Sequence, residues 1–211
     1  MNTSMKISLM ALLVGLAISL GSTSAMAAGG DAKAGKDKSA LCQGCHGEKG
    51  VSADPSFPHL AGQFAGYIEK QVTEFQQAKR NNETMGPMAA TVTSKQELKN
   101  SAAYFASQKA MKGKGSKGNK AEAGKKLFMK GNPKTGVYGC KNCHGEKGKG
   151  KSSNNPLFPV IGGQHKGYIV KQLTDLKSGA RTNDPAGMMG NIAKLLSKKE
   201  IDAVAEYISG L

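Results

Sequence analysis

The feature that most constrains the fold of this chain is a five-residue pattern, Cys-x-x-Cys-His, which occurs twice. It reads CQGCH at 42–46 and CKNCH at 140–144. This spacing is the attachment site of a c-type haem: two thiols add across the vinyl groups of the porphyrin, and the following histidine ligates iron from one face. We therefore predict two covalent haem c groups. The predicted attachment residues are Cys42, Cys45, Cys140 and Cys143, and the predicted first iron ligands are His46 and His144.

Other uses of the four cysteines explain the pattern less well. An exported chain commonly forms disulfides, and two C-x-x-C pairs have a spacing that suits zinc. Either alternative leaves the histidine after each pair without a function. A thioredoxin-like redox pair needs only one C-x-x-C and a βαβ context, which the sequence lacks.

The amino-terminal segment 1–27 has the pattern of a cleaved secretory signal. A short basic start is followed by 14 apolar residues at 7–20, and Ala25 and Ala27 supply the small residues of a cleavage site. A membrane anchor is the alternative, but a bilayer span needs about 20 apolar residues. We predict cleavage after Ala27 and a periplasmic location, outside the cytoplasm where haem attachment takes place. The mature chain would carry a net charge of +14.

The similarity between the two halves extends well beyond the haem motifs. FPHLAGQFAGYIEKQVTEF aligns with FPVIGGQHKGYIVKQLTDL, and MGPMAATVTSKQEL aligns with MGNIAKLLSKKEI. We predict an amino-terminal domain at 28–107, a linker at 108–118 and a carboxy-terminal domain at 119–211. The lysine- and glycine-rich linker has the composition of a flexible tether, although packing against the domain interface is the alternative.

The pattern of apolar residues predicts an all-α fold. Each half has an alanine-rich stretch before the haem motif (31–41 and 121–130), a middle helix (66–79 and 167–177) and a closing helix. The closing helices begin with the capping-box sequences SKQE at 94–97 and SKKE at 197–200. With 11 aromatic residues and no tryptophan, domains of this size need the haem as part of their core.

The residue on the opposite face of each iron decides whether the iron is closed or open to ligands. Met85-Gly86 in the first half aligns with Met189-Gly190 in the second, which predicts Met85 and Met189 as the second axial ligands. Met88 and Met188 are the alternatives. His59 and His165 have no counterpart in the opposite half, so we expect surface or supporting roles for them. Methionine opposite histidine raises the reduction potential and suits electron transfer late in a respiratory chain.

A Phe-Pro pair follows each haem motif, at 57–58 and 158–159. A backbone carbonyl beside proline could accept the proton of the ligating imidazole and fix its orientation. A tight turn preset by proline is an equally good interpretation, and the two are compatible.

These motifs together resemble the dihaem cytochrome c4 family, which has two class I cytochrome c domains in tandem. The resemblance covers essentially the whole mature chain and is most specific in GGQHKGYIVKQLTDLKSGARTND and MMGNIAKLLS. It implies an electron carrier in the periplasm, soluble or loosely attached to the inner membrane. It implies electron transfer from a quinol-oxidising cytochrome bc complex to a terminal haem-copper oxidase, and iron ligation by His46, Met85, His144 and Met189.

Positive charge is concentrated toward the carboxy-terminal end of the chain. Residues 28–107 contain nine basic and eight acidic residues, the linker has four lysines, and residues 119–211 contain 16 basic and seven acidic residues. Such asymmetry can steer a carrier onto an acidic partner. We hypothesise that the second domain and linker form the main docking surface; a solvated lysine-rich surface is the alternative.

Two functional classes remain. A mobile electron carrier without substrate chemistry is favoured, and the alternative is the haem subunit of a periplasmic oxidoreductase that oxidises sulfide or thiosulfate. A gas sensor or peroxidase would need an open iron face, against which the matched methionines argue. We expect no nucleic-acid binding, because the chain is exported and has no recognisable binding module.

Overall fold

The computed structural model describes residues 29–153 and 155–211, and the predicted signal segment 1–27 lies outside them. This part of the chain is helical, with a single isolated β-bridge between Asn132 and Val137, which confirms the all-α prediction. None of its helices has the length and apolar character needed to cross a membrane.

The helices of the amino-terminal half are α1 (Ala32–Lys38), α2 (Ala40–His46), α3 (Ala65–Gln76), α4 (Met85–Ala90) and α5 (Lys95–Ser107). Those of the other half are α6 (Asn119–Lys130), α7 (Lys141–His144), α8 (Lys166–Ser178), α9 (Met188–Leu195) and α10 (Lys198–Ser209), with a 3₁₀ turn at Pro185–Gly187.

Each half is organised by the packing of its first helix against its last. Helix α1 packs on α5, and α6 packs on α10. The contact is close because glycine occupies the crossing point in both halves. A Cβ atom on Gly35 would overlap the carbonyl oxygen of Asn100, and one on Gly124 would overlap that of Ala203. The two equivalent glycines thus allow the backbones to approach at the same place in each domain.

The cores of the two halves are built around the closing helices. In the first half an aromatic pair is formed within α5, where the rings of Tyr104 and Phe105 lie 5.3 Å apart. In the second half the pair joins two helices, since Phe128 of α6 lies 5.3 Å from Tyr207 of α10. The buried core of the first half contains Ile68, Ala102, Tyr104 and Phe105. The larger core of the second half contains Leu127, Phe128, Val137, Ile169, Leu173, Leu196, Ile201, Val204, Ala205 and Ile208.

Two local predictions need correction. The stretch 31–41 divides into α1 and α2 at Ser39, which is fully buried and whose hydroxyl donates to the Lys36 carbonyl oxygen at 3.0 Å. The capping box is complete at Ser197 but only half formed at Ser94, which accepts from the Glu97 N–H. The Glu97 carboxylate instead pairs with Lys38 of α1 at 2.7 Å.

The segment 108–118 packs against both halves rather than forming a free tether. Buried Met111 donates its N–H to the Ala61 carbonyl oxygen of the first half at 3.3 Å. Gly113 and Gly115 donate to the carbonyl oxygens of Leu211 and Gly210 in the second half. Of the two alternatives for this segment, the structure shows packing against the domains and not a flexible tether. Its lysines extend from a backbone that is held by hydrogen bonds at several points.

Candidate haem sites and the interface between them

The histidine of the first motif is held in one orientation at the end of α2. Gly47 follows it with a φ of 83°, which ends the helix in a conformation that favours glycine. His46 is 5% exposed, and its Nδ1 lies 2.8 Å from the Pro58 carbonyl oxygen. Because a carbonyl only accepts, Nδ1 carries the proton and the Nε2 lone pair is left for iron.

The second motif repeats this geometry. His144 ends α7, is 6% exposed, and its Nδ1 lies 2.9 Å from the Pro159 carbonyl oxygen. Burial lowers the pKa of both imidazoles, although the hydrogen bond to the proline carbonyl opposes this effect. Both side chains are therefore neutral at pH 7, the form that ligates iron. In both halves the proline carbonyl oxygen thus accepts a hydrogen bond from the imidazole N–H, as the Phe-Pro pairs suggested.

None of the four cysteines of the two motifs is joined to another in a disulfide. Burial raises the pKa of Cys42, and it raises that of Cys140 to about 11. These thiols are uncharged at neutral pH, and a thioether bond to a porphyrin would also leave the position uncharged. Within the described part of the chain, no group of three or more His, Cys, Asp or Glu side chains could hold a metal ion.

The two matched methionines begin or lie within short helices that follow a turn. Met85 is the first residue of α4, and its N–H donates to the Asn82 side chain at 2.8 Å. Met189 lies in the first turn of α9, where the next residue, Gly190, donates to Asp184 at 2.9 Å. Met189 packs against the core of the second half, whereas Met188 is 39% exposed. The structure therefore favours Met189 over Met188 as the inward-facing sulfur.

Two glutamines join the halves in a nearly twofold-symmetric arrangement. Gln63 donates to the Val160 carbonyl oxygen at 2.8 Å and accepts from the Val160 N–H at 3.1 Å. Gln164, its counterpart in the repeat, donates to the His59 carbonyl oxygen at 3.0 Å and accepts from the His59 N–H at 2.9 Å. Both glutamines are buried, and each forms two direct hydrogen bonds to the opposite half, so four such bonds join the halves.

A polar cluster with excess positive charge continues this interface. Arg80 of the first half donates to Tyr168 and Gln172 of the second, and Arg181 of the second donates to Tyr67 and Gln71 of the first. Burial alone would raise the pKa of Tyr67, but the charges of Arg181, Arg80 and Lys70 together lower it. Among the described residues neither guanidinium forms an ion pair. Such a set of donors suits anionic groups such as haem carboxylates.

The two unmatched histidines meet at the same interface. The rings of His59 and His165 lie against each other with their centroids 3.9 Å apart and their planes tilted by 39°. His59 Nδ1 accepts the Ser52 N–H at 3.0 Å, and His165 Nε2 lies 3.2 Å from the Ser52 carbonyl oxygen. From the sequence alone, only surface or supporting roles are expected for these two histidines. One signal in the sequence could have indicated this contact: each half has one histidine at a position where the other half has a different residue.

The fold and these sites define a class of protein. Two helical domains, each with a buried imidazole offering Nε2 beside a C-x-x-C pair, have the architecture of a two-domain c-type cytochrome. A family model for cytochrome c matches residues 32–110 and 121–211. The chain belongs to this family and, within it, to the cytochromes c4. It is a dihaem electron-transfer protein with two covalent haem c groups, and not an enzyme.

The relatives place the chain in this group over nearly its whole length. Cytochrome c4 from Pseudomonas aeruginosa is 43% identical, over 95% of this chain and 98% of the relative. The crystal structure of reduced recombinant cytochrome c4 from Pseudomonas stutzeri superimposes with a TM-score of 0.81 at 40% identity, covering 86% of this chain and 99% of that one. A thiosulfate dehydrogenase electron acceptor from Stutzerimonas stutzeri is 34% identical, over 94% of both chains.

Proposed function

We propose that this protein carries electrons in the periplasm from a quinol-oxidising complex, such as a cytochrome bc complex, to a terminal haem-copper oxidase. The observation that carries the proposal is the repeated site: in both domains a buried imidazole is fixed through Nδ1, and an aligned methionine is available as the second ligand. An iron with two strong protein ligands has no place for a substrate. The haem would then supply electron exchange only, and the part of the chain is to position the haem and exclude water from it.

In this proposal each haem is held by its own domain. Cys42 and Cys45 would bind the first haem covalently, and His46 and Met85 would ligate its iron. The second haem is held by the equivalent residues of the other domain, namely Cys140, Cys143, His144 and Met189. A thioether ligand and a buried site both favour ferrous iron, so both centres should have high reduction potentials.

The spectrum of the oxidised, haem-loaded protein tests this ligation directly. Methionine bound to ferric haem gives a weak sulfur-to-iron band at the red end of the spectrum. Met85→Ala and Met189→Ala should each remove about half of that band, because each methionine is the proposed second ligand of one of the two irons. Met88→Ala and Met188→Ala are the matched controls, which should retain the band.

Three results would contradict the assignment. One is a wild-type protein without the band, and another is ready binding of carbon monoxide by the reduced protein, since either means an open or differently ligated iron. The third is loss of the band in a control variant, which would transfer the ligand role to Met88 or Met188. Turnover of a purified terminal oxidase with this carrier as the only electron source then tests the physiological direction.

An alternative function is electron acceptance from a periplasmic enzyme that oxidises sulfide or thiosulfate. It is supported by the 34% identity to a thiosulfate dehydrogenase electron acceptor. Stable co-purification with a catalytic chain, together with reduction by thiosulfate only in its presence, would favour this alternative over the respiratory carrier.

The periplasmic location in this proposal depends on the predicted signal. The amino terminus of the exported protein should be Ala28, which mass spectrometry of the mature chain would determine. If the protein associates loosely with the inner membrane, a high-salt wash should release it, whereas retention of 1–27 as an anchor would require detergent.

A further inference from the structure

One peptide group in the first domain connects its iron ligand to the opposite domain. The carbonyl oxygen of Pro58 lies 2.8 Å from His46 Nδ1. The N–H of the same peptide group belongs to His59, and it donates to Gln164 Oε1 of the second domain at 2.9 Å. The imidazole, the peptide group and the glutamine amide thus form one continuous chain of hydrogen bonds.

The second domain contains the same chain in the reverse direction. His144 Nδ1 lies 2.9 Å from the Pro159 carbonyl oxygen, and the N–H of that peptide group, from Val160, donates to Gln63 Oε1 of the first domain at 3.1 Å. Side chains differ at this position, since it is histidine in one domain and valine in the other. The arrangement is therefore set by the backbone and by the glutamine, not by the residue that carries the N–H.

We infer that Gln63 and Gln164 are positioning residues that tune the iron ligand of the opposite domain. Gln164 acts on His46 and the first haem, and Gln63 acts on His144 and the second. This inference rests on the proposed ligation of iron by these histidines, and it adds a path by which each domain sets the potential of the other.

The physical basis is polarisation of the shared peptide group. A peptide N–H that donates a hydrogen bond makes its carbonyl oxygen more negative, and hydrogen bonds in a buried chain strengthen one another. The more negative oxygen draws the proton of the ligating imidazole more strongly and makes the imidazole a better electron donor. Ferric iron gains most from this donation, so the glutamine lowers the reduction potential of the haem in the other domain.

Each glutamine is held firmly enough for this role. Gln63 and Gln164 are 5% and 6% exposed, and each Oε1 also accepts an N–H of its own domain, from Phe64 and His165 respectively. The preceding glycines anchor the two loops, since Gly62 donates to Phe105 and Gly163 donates to Ile208. The closing helices therefore fix the position from which each amide reaches the opposite domain.

The test measures the potential of each haem separately in Gln63→Leu and Gln164→Leu. Haem methyl resonances assigned to each domain are followed by NMR during stepwise reduction. Gln63→Leu should raise the potential of the second haem and leave that of the first unchanged. Gln164→Leu should raise the potential of the first haem and leave that of the second unchanged. The ratio of electron occupancy between the haems should change by about two- to fivefold, the effect of part or all of one hydrogen bond. Gln63→Glu, which keeps an acceptor for Val160 N–H, should not raise the second potential.

Other patterns would overturn the inference. A residue with only a structural role would move the haem of its own domain or both haems equally, and water entering a loosened interface would lower a potential instead of raising it. Unchanged potentials in both leucine variants would also exclude tuning. If a leucine variant fails to fold with two haems, asparagine replaces it with the same outcomes, because its shorter amide cannot reach both partners.

The spectrum separates this inference from the proposed ligation. Variants that keep the full sulfur-to-iron band but show no crossed shift in potential would exclude tuning by the glutamines and leave the electron-carrier proposal intact. Absence of the band from the wild type would instead exclude the ligation on which both depend.

Discussion

At the scale of single residues, the contact between His59 and His165 shows how the interface uses residues that occur in only one of the two halves. His59 Nδ1 accepts the Ser52 N–H, so its lone pair is occupied and the ring is held neutral. Burial, followed by the nearby His165, lowers the pKa of His59 to about 4. Protonation of His59 would break the hydrogen bond from the Ser52 N–H and place a charge against the His165 ring.

This depressed pKa predicts a pH dependence of stability. Between pH 6.5 and about 4 the unfolded chain binds more protons at His59 than the folded chain does, so stability should fall as pH falls through this window. His59→Asn keeps an acceptor for the Ser52 N–H and removes the titration. Denaturant unfolding at pH 7 and pH 4.5 should show a loss smaller by about 1 kcal/mol in the variant, since His59 is half-buried and solvent screens its charge. Equal losses in both proteins would mean that His59 titrates as in the unfolded chain.

At the scale of helices, the crossing of first and last helix depends on one glycine per domain. Gly124 of α6 faces the backbone of α10 at Ala203, and Gly35 of α1 faces α5 at Asn100. A methyl group at either position would have to displace a helix backbone, which a close-packed core resists. The two crossings are equivalent in the repeat, so the same substitution should have the same effect in each domain.

Gly124→Ala should therefore lower the free energy of unfolding by about 3 kcal/mol, since the added methyl group overpacks the contact with α10. Gly167→Ala is the matched control: this glycine lies in α8 with open space around its Cβ position, so alanine should raise stability by up to about 1 kcal/mol. Guanidinium unfolding of the haem-loaded proteins measures both. Similar stability in the two variants would show that the crossing can move apart at little cost.

The sequence predicted the long helices well and the short ones poorly. The middle and closing helices have three or more turns of apolar residues at helical spacing. The predicted middle helices, 66–79 and 167–177, overlap α3 and α8, and the predicted starts of the closing helices, at 94–97 and 197–200, coincide with the starts of α5 and α10. Short helices such as α4 and α7 have too few turns for periodicity to identify them. The half-formed capping box at Ser94 depends on a tertiary partner of Glu97, Lys38, which local patterns do not contain.

At the scale of the whole molecule, the sequence predicted two sites but not how they are joined. The haem motifs, the aligned methionines and the Phe-Pro carbonyls follow local or repeated patterns, so the sequence is enough to predict them. Gln63 and Gln164 were visible as matched residues, yet their partners lie about 100 positions away; Val160 is 97 positions after Gln63 in the chain. Pairing across domains is decided by the docked surfaces, and a single sequence provides no measure of it.

The uneven charge of the molecule leads to a prediction about docking. The docking hypothesis places the partner at the second domain and the linker, where most of the excess lysine lies. Lys147→Gln with Lys149→Gln removes two exposed charges near the second haem motif, and Lys33→Gln with Lys36→Gln removes two exposed charges from α1 of the first domain. Both pairs change the net charge equally, so only the position of the charge differs.

If the second domain docks, the first pair should slow bimolecular electron transfer with an oxidase partner by about threefold or more at low ionic strength, and the α1 pair should have little effect. The difference should disappear near 0.5 M salt, where the screening length falls to about 4 Å. Stopped-flow rates across this range of salt measure both effects. Equal slowing by the two pairs would mean that net charge alone governs encounter, and rates independent of salt would remove electrostatic docking altogether, leaving the lysines as a solvated surface.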